Sequence, residues 1–297
     1  MPVSTKAVRP SQAGNILKKL AVIGDPISHS LSPLLHSFLI EQFDLPFTYE
    51  ALHVRAEELP RLVARLREGE LAGVNVTLPH KQAIMPLLDE LVYPADRIGA
   101  VNTVRAHAGK LFGYNTDAEG FQRSLHEANL AVRDQEVFVL GAGGAAKAVV
   151  FALLAGGVEV IYLSNRDGER AQRLRANLSP QEQARVRLVV WDERERVLQT
   201  RPCAALINAT SLGMSATREL SPCSRFRQEM TVVDLIYNPR ETLFLQQARQ
   251  AGATTLNGLP MLIHQGVAAM ELWSGKSLKL AEAYKLLTES LMKKLPA

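Results

Sequence analysis

Only two cysteines, Cys203 and Cys223, occur in 297 residues. That is too few for a disulfide framework or a four-ligand zinc site, and no His-x-x-x-His spacing compensates. No apolar run approaches the ~20 residues of a membrane-spanning helix. Acidic residues are missing from the first 20 positions, where Lys6, Arg9, Lys18 and Lys19 equal the whole net charge of +4. The rest of the chain is therefore neutral, and no basic stripe interleaved with aromatics marks a nucleic-acid surface. The same stretch lacks the apolar core of a secretory signal and mimics a transit peptide only weakly. There is no internal repeat and no low-complexity segment. These absences leave a globular protein, expected in a reducing, cytoplasmic setting and without nucleic-acid, membrane or metal partners. With 47% hydrophobic residues, the chain can bury the cores of about two domains.

The most informative stretch runs from Val137 to Arg166. It reads as a strand (Val137 to Leu140), a turn (Gly141-Ala142-Gly143-Gly144-Ala145-Ala146), an apolar helix (Ala145 to Leu154) and a second strand (Val158 to Leu163) before Asn165-Arg166. This is half of a dinucleotide-binding fold. Gly141 permits the tight turn, Gly143 lets a pyrophosphate approach the backbone, and small Ala146 lets helix and strand pack closely. The free amides of the helix would face the phosphates.

Before it, Leu20 to Gly24 reads as a buried strand leading to Ser30-Leu31-Ser32-Pro33. Ser32 is suited to N-cap and Pro33 to open the helix carrying Leu34, Leu35, Phe38 and Leu39. Ser30 and Ser32 beside free amides suit a carboxylate or phosphate; the plainer alternative is a cap and a solvated hydroxyl. Phe47 to Val54 predicts a strand, Ala56 to Arg67 a helix and Leu71 to Leu78 a strand, making a βαβαβ start. Asn75, Thr77 and Lys81 then fall beyond a strand's carboxyl end, where open α/β sheets place ligands. Lys81 is expected to open a helix, an unfavourable end for a cation. Val101 to Ala106 and Leu111 to Asn115 read as two strands, with Asn102 at one end and Asp117 at the other. Asp117 stands before the helical pattern Gly120 to Asn129, where an N-cap is the ordinary role. Further strands are expected at Val186 to Val190, Ala204 to Ile207 and Thr231 to Leu235. Helices are expected at Ala171 to Leu178, Thr242 to Gln250, Met261 to Trp273 and Leu280 to Leu295.

Eight motifs, in order, resemble the shikimate dehydrogenase family: Ser30-Leu-Ser32-Pro33, Asn75-Val-Thr77-Leu-Pro-His-Lys81, Gly99-Ala-Val-Asn102-Thr, Gly113-Tyr-Asn-Thr-Asp117, Gly141-Ala-Gly143-Gly144-Ala145, Asn165-Arg166, Asn208-Ala-Thr210-Ser and Gly258-Leu-Pro-Met-Leu-Ile-His-Gln265. The resemblance implies an α/β protein with two domains and a cleft between them. Residues 1–117, completed by helices in 259–297, would bind substrate, and 118–258 would be the Rossmann domain. It implies an NADP-dependent oxidoreductase interconverting 3-dehydroshikimate and shikimate in aromatic amino-acid biosynthesis, working as a monomer or homodimer. An NAD-accepting quinate/shikimate relative and a non-catalytic nucleotide-binding regulator are the alternatives.

By the same resemblance, Lys81 and Asp117 would be the catalytic pair. Ser30, Ser32, Asn75, Thr77, Asn102, Tyr237 and Gln265 would hold the substrate. Gly141, Ala142, Gly143, Gly144, Ala145, Asn165, Arg166, Arg170, Thr210, Leu235 and Gly258 would hold the cofactor. Serine hydroxyls suit a carboxylate, and amide and hydroxyl side chains suit a ring of hydroxyls that both donate and accept. Arg166 and Arg170 suit the 2′-phosphate of NADP, whereas Asp167 suits a free ribose hydroxyl or a helix cap, so NAD is expected as a weaker cofactor.

Overall fold

The computed structural model describes residues 17–214, 217–280 and 283–295. The basic tail up to residue 16 lies outside them, as do two positions in the predicted helix from Leu280 to Leu295. Two six-stranded sheets organise the rest. The first contains β1 (Lys18–Gly24), β2 (Phe47–His53), β3 (Gly73–Val76), β4 (Glu90–Leu91), β5 (Thr103–His107) and β6 (Lys110–Tyr114), in the order β2-β1-β3-β5-β6-β4. β1 pairs in parallel with β2 and β3, while β5 runs antiparallel to β3 and β6. Helices α1 (Ser32–Gln42), α2 (Leu59–Arg67) and α3 (Ala95–Ile98) connect these strands, and α4 (Asp117–Glu127) leaves the sheet.

After the exposed Lys18 and Lys19, alternating residues of β1 explain why the rest of it is apolar. Ala21 and Ile23 face Leu62, Val63 and Leu66 of α2. Leu20 faces the other way, into a core with Leu35 and Leu39 of α1. A strand covered on both sides cannot alternate apolar with polar residues.

The second sheet is wholly parallel: β7 (Glu136–Leu140), β8 (Val160–Ser164), β9 (Val186–Val189), β10 (Ala205–Asn208), β11 (Thr231–Asp234) and β12 (Thr254–Leu256), in the order β12-β11-β10-β7-β8-β9. Its order reverses at β7, the doubly wound arrangement of a Rossmann domain, which puts a crevice at the carboxyl ends of β7 and β10. The helices here are α5 (Gly144–Ala155), α6 (Gly168–Ala176), α7 (Pro180–Ala184), α8 (Arg194–Thr200) and α9 (Leu243–Gln250). Val137 and Val139 pack on Val149, Val150 and Leu153 of α5, while Phe138 and Leu140 join Phe244 and Leu245 of α9 on the opposite face.

After β12 the chain returns to the first sheet. Helices α10 (Leu259–Ser274) and α11 (Ala283–Met292) close the core around Leu20 and Phe47 through Ile263, Val267, Leu287 and Leu291. Trp273 seats its ring over Gly73 and donates its indole N–H to the Val104 carbonyl at 3.0 Å.

Several local expectations are corrected. Lys81 does not open a helix: residues 78–84 form turns, followed by a short 3-10 helix at Met85–Leu87. Pro86 lacks an N–H for the carbonyl of residue 82 and its ring would clash there, so no α-helix can run through it. Ser32 is the first helical residue of α1, not its cap; Leu31 is the N-cap, and Ser30 Oγ accepts the Ser32 N–H at 3.2 Å. Elements α3, α7, α8, β4 and β12 had no counterpart in the sequence reading, all being short.

Candidate active site

The segments following β1 and β3, the start of β5, the first turn of α4 and one face of α10 converge beside the glycine turn after β7. At the centre Lys81 Nζ donates to Asp117 Oδ2 at 2.5 Å, with side chains only 14% and 7% exposed. Asp117 is not the N-cap of α4; that position belongs to Thr116, and Asn115 Oδ1 accepts the Asp117 and Ala118 amides. Its carboxylate is thereby left for Lys81 and for Asn102 Nδ2, which donates to Oδ1 at 2.9 Å. Two charges this far from water are stable only as a hydrogen-bonded pair.

Asn102 also donates to Thr116 Oγ1 at 2.9 Å and reaches Gln265 Oε1 of α10 at 3.3 Å. Asn75, read as a substrate ligand, is buried with its amide turned inward: Oδ1 accepts from the Tyr49 hydroxyl at 2.6 Å, and Nδ2 donates to Thr103 Oγ1 and the Asn102 carbonyl. Thr77, half-buried, follows β3 with its N–H on the Ile23 carbonyl. Tyr237 packs against Leu31, so the loop after β11 reaches the serine loop. Burial raises the Tyr237 phenol above its usual range, with the Leu31 backbone partly opposing. Beneath lies His36, fully buried and stacked on Tyr49 with ring centroids 4.1 Å apart. Desolvation lowers its pKa to about 3, so the ring is neutral.

Tyr49, Thr103 and Thr116 are participants that the sequence reading did not assign. Tyr49 and Thr103 lie in expected strands, Thr103 also at the end of the Gly99-Ala-Val-Asn102-Thr motif, but their hydrogen-bond partners depend on register between distant strands. Thr116 stood in a quoted motif without a role.

The glycine turn faces this cluster. Gly141 has φ of +115°, a conformation side chains disfavour, and a Cβ there would lie 2.7 Å from the Ala209 carbonyl oxygen. Gly143, the N-cap of α5, has no side-chain cap, and no atom lies within 4 Å of where its Cβ would be. Open space before uncapped helix amides, with no acid in the first turn, fits a pyrophosphate. A Cβ on Gly144 would stand 3.1 Å from Lys81 Cδ, so the lysine stem lies directly against this turn. Ala142 is buried within the core under the turn, and Ala145 lies in the first turn of α5. Gly258 passes so close to Leu235 that a Cβ would fall 2.0 Å from its carbonyl oxygen. Thr210 is pinned by its N–H and hydroxyl to Asn208 Oδ1.

Beyond β8, Arg166 is exposed and no polar partner of its guanidinium is recorded among the described residues. Asn165 Nδ2 donates to the Asp167 carbonyl. Asp167 is the N-cap of α6, accepting the Arg170 N–H at 3.2 Å, and also pairs with the Arg170 guanidinium at 3.1 Å. Arg170 is thus partly neutralised, and Asp167 is occupied as a cap. Among the described residues no group of three or more His, Cys, Asp or Glu is placed to hold a metal, and no helix is long and apolar enough to cross a membrane.

A Rossmann sheet whose glycine turn abuts a buried lysine–aspartate pair defines a two-domain, dinucleotide-binding α/β protein. Residues 22–104 match the shikimate dehydrogenase substrate binding domain, and residues 124–243 match the shikimate/quinate 5-dehydrogenase domain. A shikimate dehydrogenase (NADP(+)) of Desulforamulus reducens is 40% identical over 86% of this chain and 89% of its own length. A crystal structure of shikimate dehydrogenase in complex with NADP+ superposes with a TM-score of 0.85 at 33% identity, covering 97% of this chain and 99% of that one. The shikimate 5-dehydrogenase of Thermus thermophilus, in complex with NADP(H) and shikimate, gives a TM-score of 0.81 at 37% identity, covering 94% and 100%. The chain belongs to the shikimate dehydrogenase family.

Proposed function

We propose that the protein is an NADP-dependent shikimate dehydrogenase, reducing the ketone of 3-dehydroshikimate to the alcohol of shikimate and catalysing the reverse oxidation. The observation that carries this reading is the buried Lys81–Asp117 pair lying against the glycine turn. In our reading residues 1–117 with 259–297 hold the substrate and 118–258 hold the cofactor. Ser30, Ser32 and Thr77 take the carboxylate end, while Asn102, Gln265 and Tyr237 take ring hydroxyls. Asn75 contributes chiefly by fixing its neighbours, because its amide is already engaged.

Bound NADPH supplies a hydride to the carbonyl carbon. The turn from Gly141 to Ala145 would hold its pyrophosphate, Arg166 its 2′-phosphate, and the backbone around Thr210, Leu235 and Gly258 its nicotinamide end. The Lys81 ammonium donates a proton to the oxygen as negative charge develops there. Asp117 holds that ammonium in place and compensates its charge; in the oxidation direction the same pair receives the proton.

A regulator that only bound nucleotide would not need a proton donor oriented this way. An NAD-preferring enzyme would use a free acid beyond β8, and Asp167 is occupied. A cytoplasmic setting suits two buried thiols that desolvation pushes up to about 12 and about 11. The test is NADPH oxidation with 3-dehydroshikimate, repeated with quinate under NAD and NADP. Turnover with 3-dehydroshikimate and NADPH is expected to dominate; activity confined to quinate and NAD would replace this reading with the quinate/shikimate one.

A further inference from the structure

Lys81 and Asp117 are held by more than their own contact. Asn102 Oδ1 accepts the backbone N–H of Thr116 at 2.7 Å. A backbone nitrogen can only donate, so this end of the amide is the oxygen, and Nδ2 is left to face Asp117 Oδ1. Thr103 Oγ1 stands between two amides. It donates to Asn102 Oδ1 at 3.1 Å and accepts from Asn75 Nδ2 at 3.1 Å, while Asn75 Oδ1 accepts from the Tyr49 hydroxyl. The Thr116 hydroxyl lies slightly farther from Thr103, at 3.3 Å. All donors in the chain point the same way, from Tyr49 through Asn75, Thr103 and Asn102 to Asp117, so each bond polarises the next. Thr103 is 0% and Asn102 2% exposed, so water does not readily replace a lost partner.

We propose that Thr103 is a positioning residue for the Lys81–Asp117 pair: its hydroxyl joins the two amides, steadies the Asn102 N–H groups on Asp117, and so holds the carboxylate aligned with Lys81. The inference rests on the reading of that pair as the reacting groups. Thr103 also has a plain structural place in β5, opposite Asn75 and Tyr114. Valine keeps that shape and removes only the hydroxyl. Without it, Asn102 Oδ1 keeps the Thr116 N–H but loses a donor, and Asn75 Nδ2 loses an acceptor, so the Asn102 amide is held less firmly against Asp117. Losing a donor to the ionised form raises the affinity of the carboxyl for a proton. Lys81 is the only charged side chain within ion-pair distance of Asp117 among the described residues; Asn102 faces it from the residue before β5, and Asn102 is in turn held by Thr116, the N-cap of α4, and by Gln265 of α10.

Steady-state kinetics of Thr103→Val and Thr103→Ser across pH test this. Thr103→Val is expected to lower kcat about tenfold, change KM less than about threefold, and move the acid limb of the kcat profile to higher pH. Thr103→Ser restores the hydroxyl and is expected within about twofold of the parent. A Thr103→Val enzyme with parental kcat and an unmoved limb overturns the proposal, as does a serine variant as impaired as the valine one. If Thr103→Val does not fold, Tyr49→Phe, which removes the first donor, must move the same limb in the same direction or the proposal fails. Carboxyl NMR titration of Asp117 without substrate separates the two readings: a parent inactive on 3-dehydroshikimate counts against the proposed function, whereas an Asp117 titration unchanged in Thr103→Val counts against the positioning role.

Discussion

At the scale of single residues, the division between Lys81 and its neighbours is the sharpest expectation. A proton donor acts mainly in the transition state, whereas hydroxyl-binding side chains act in both states. Lys81→Ala is expected to lower kcat on the order of 10²-fold or more with a much smaller change in KM. Steady-state kinetics decide it: a raised KM with parental kcat would make Lys81 a binding residue. Arg166 carries the second expectation. Among the described residues its guanidinium has no polar partner, whereas Arg170 is partly neutralised by Asp167, so Arg166 is the principal candidate for a 2′-phosphate. Arg166→Ala is expected to lower kcat/KM for NADP while leaving NAD nearly unaffected. An equal loss with both cofactors would count against phosphate recognition.

At the scale of elements, the glycine turn, the strands around it and α1, α4 and α10 were legible because hydrophobic period and turn chemistry agree there. The segment after β3 was not, because Pro86, five residues beyond Lys81, excludes a helix there, and the unfavourable cation at its expected start reads equally well as a sign of function. The roles of Ser30 and Ser32 also shifted by one cap position, a displacement that local sequence does not resolve. Asp117 illustrates the limit from the other side: its place before a helix reads as a cap, and only the arrival of Asn115, Lys81 and Asn102 frees it. The end of β11 hides a similar case. Asp234 is 0% exposed and, among the described residues, pairs with no cation, accepting instead from Asn208, Ile236 and Thr242. Burial raises its pKa to about 7. The unfolded carboxyl has the lower pKa, so its contribution to stability is present below about pH 4 and is lost as pH rises to about 7. Relative to Asp234→Asn, the parent is expected to lose unfolding free energy over that interval, measured by urea denaturation at successive pH values. A difference that stays flat with pH would show that the hydrogen bonds offset desolvation.

At the scale of the whole molecule, the two sheets are tied directly. Lys147 of α5 donates to the Gly99 carbonyl at 3.0 Å, with burial lowering its pKa, and Arg97 pairs with Glu182 of α7 at 2.9 Å. The first of these bonds sits three residues before Asn102, whose amide faces Asp117. The first sheet depends equally on α10 and α11, which supply Ile263, Val267, Trp273, Leu287 and Leu291 to its core. A chain ending at residue 258 is expected to lose the cooperative unfolding of its N-terminal sheet and to bind a hydrophobic dye such as ANS, because one face of that sheet is uncovered. A sharp, dye-free transition would show that α1 alone suffices.

The return of α10 to β1 has a consequence for biosynthesis. The strands of the first sheet leave the ribosome well before the α10 and α11 residues that cover one of their faces, while the dinucleotide-binding sheet between them has all its strands by Leu256. Domains generally fold as they emerge, so the dinucleotide-binding sheet is expected to fold before the sheet that precedes it is complete. During that interval Leu20, Leu35, Leu39 and Phe47 form an apolar surface for a chaperone to shield.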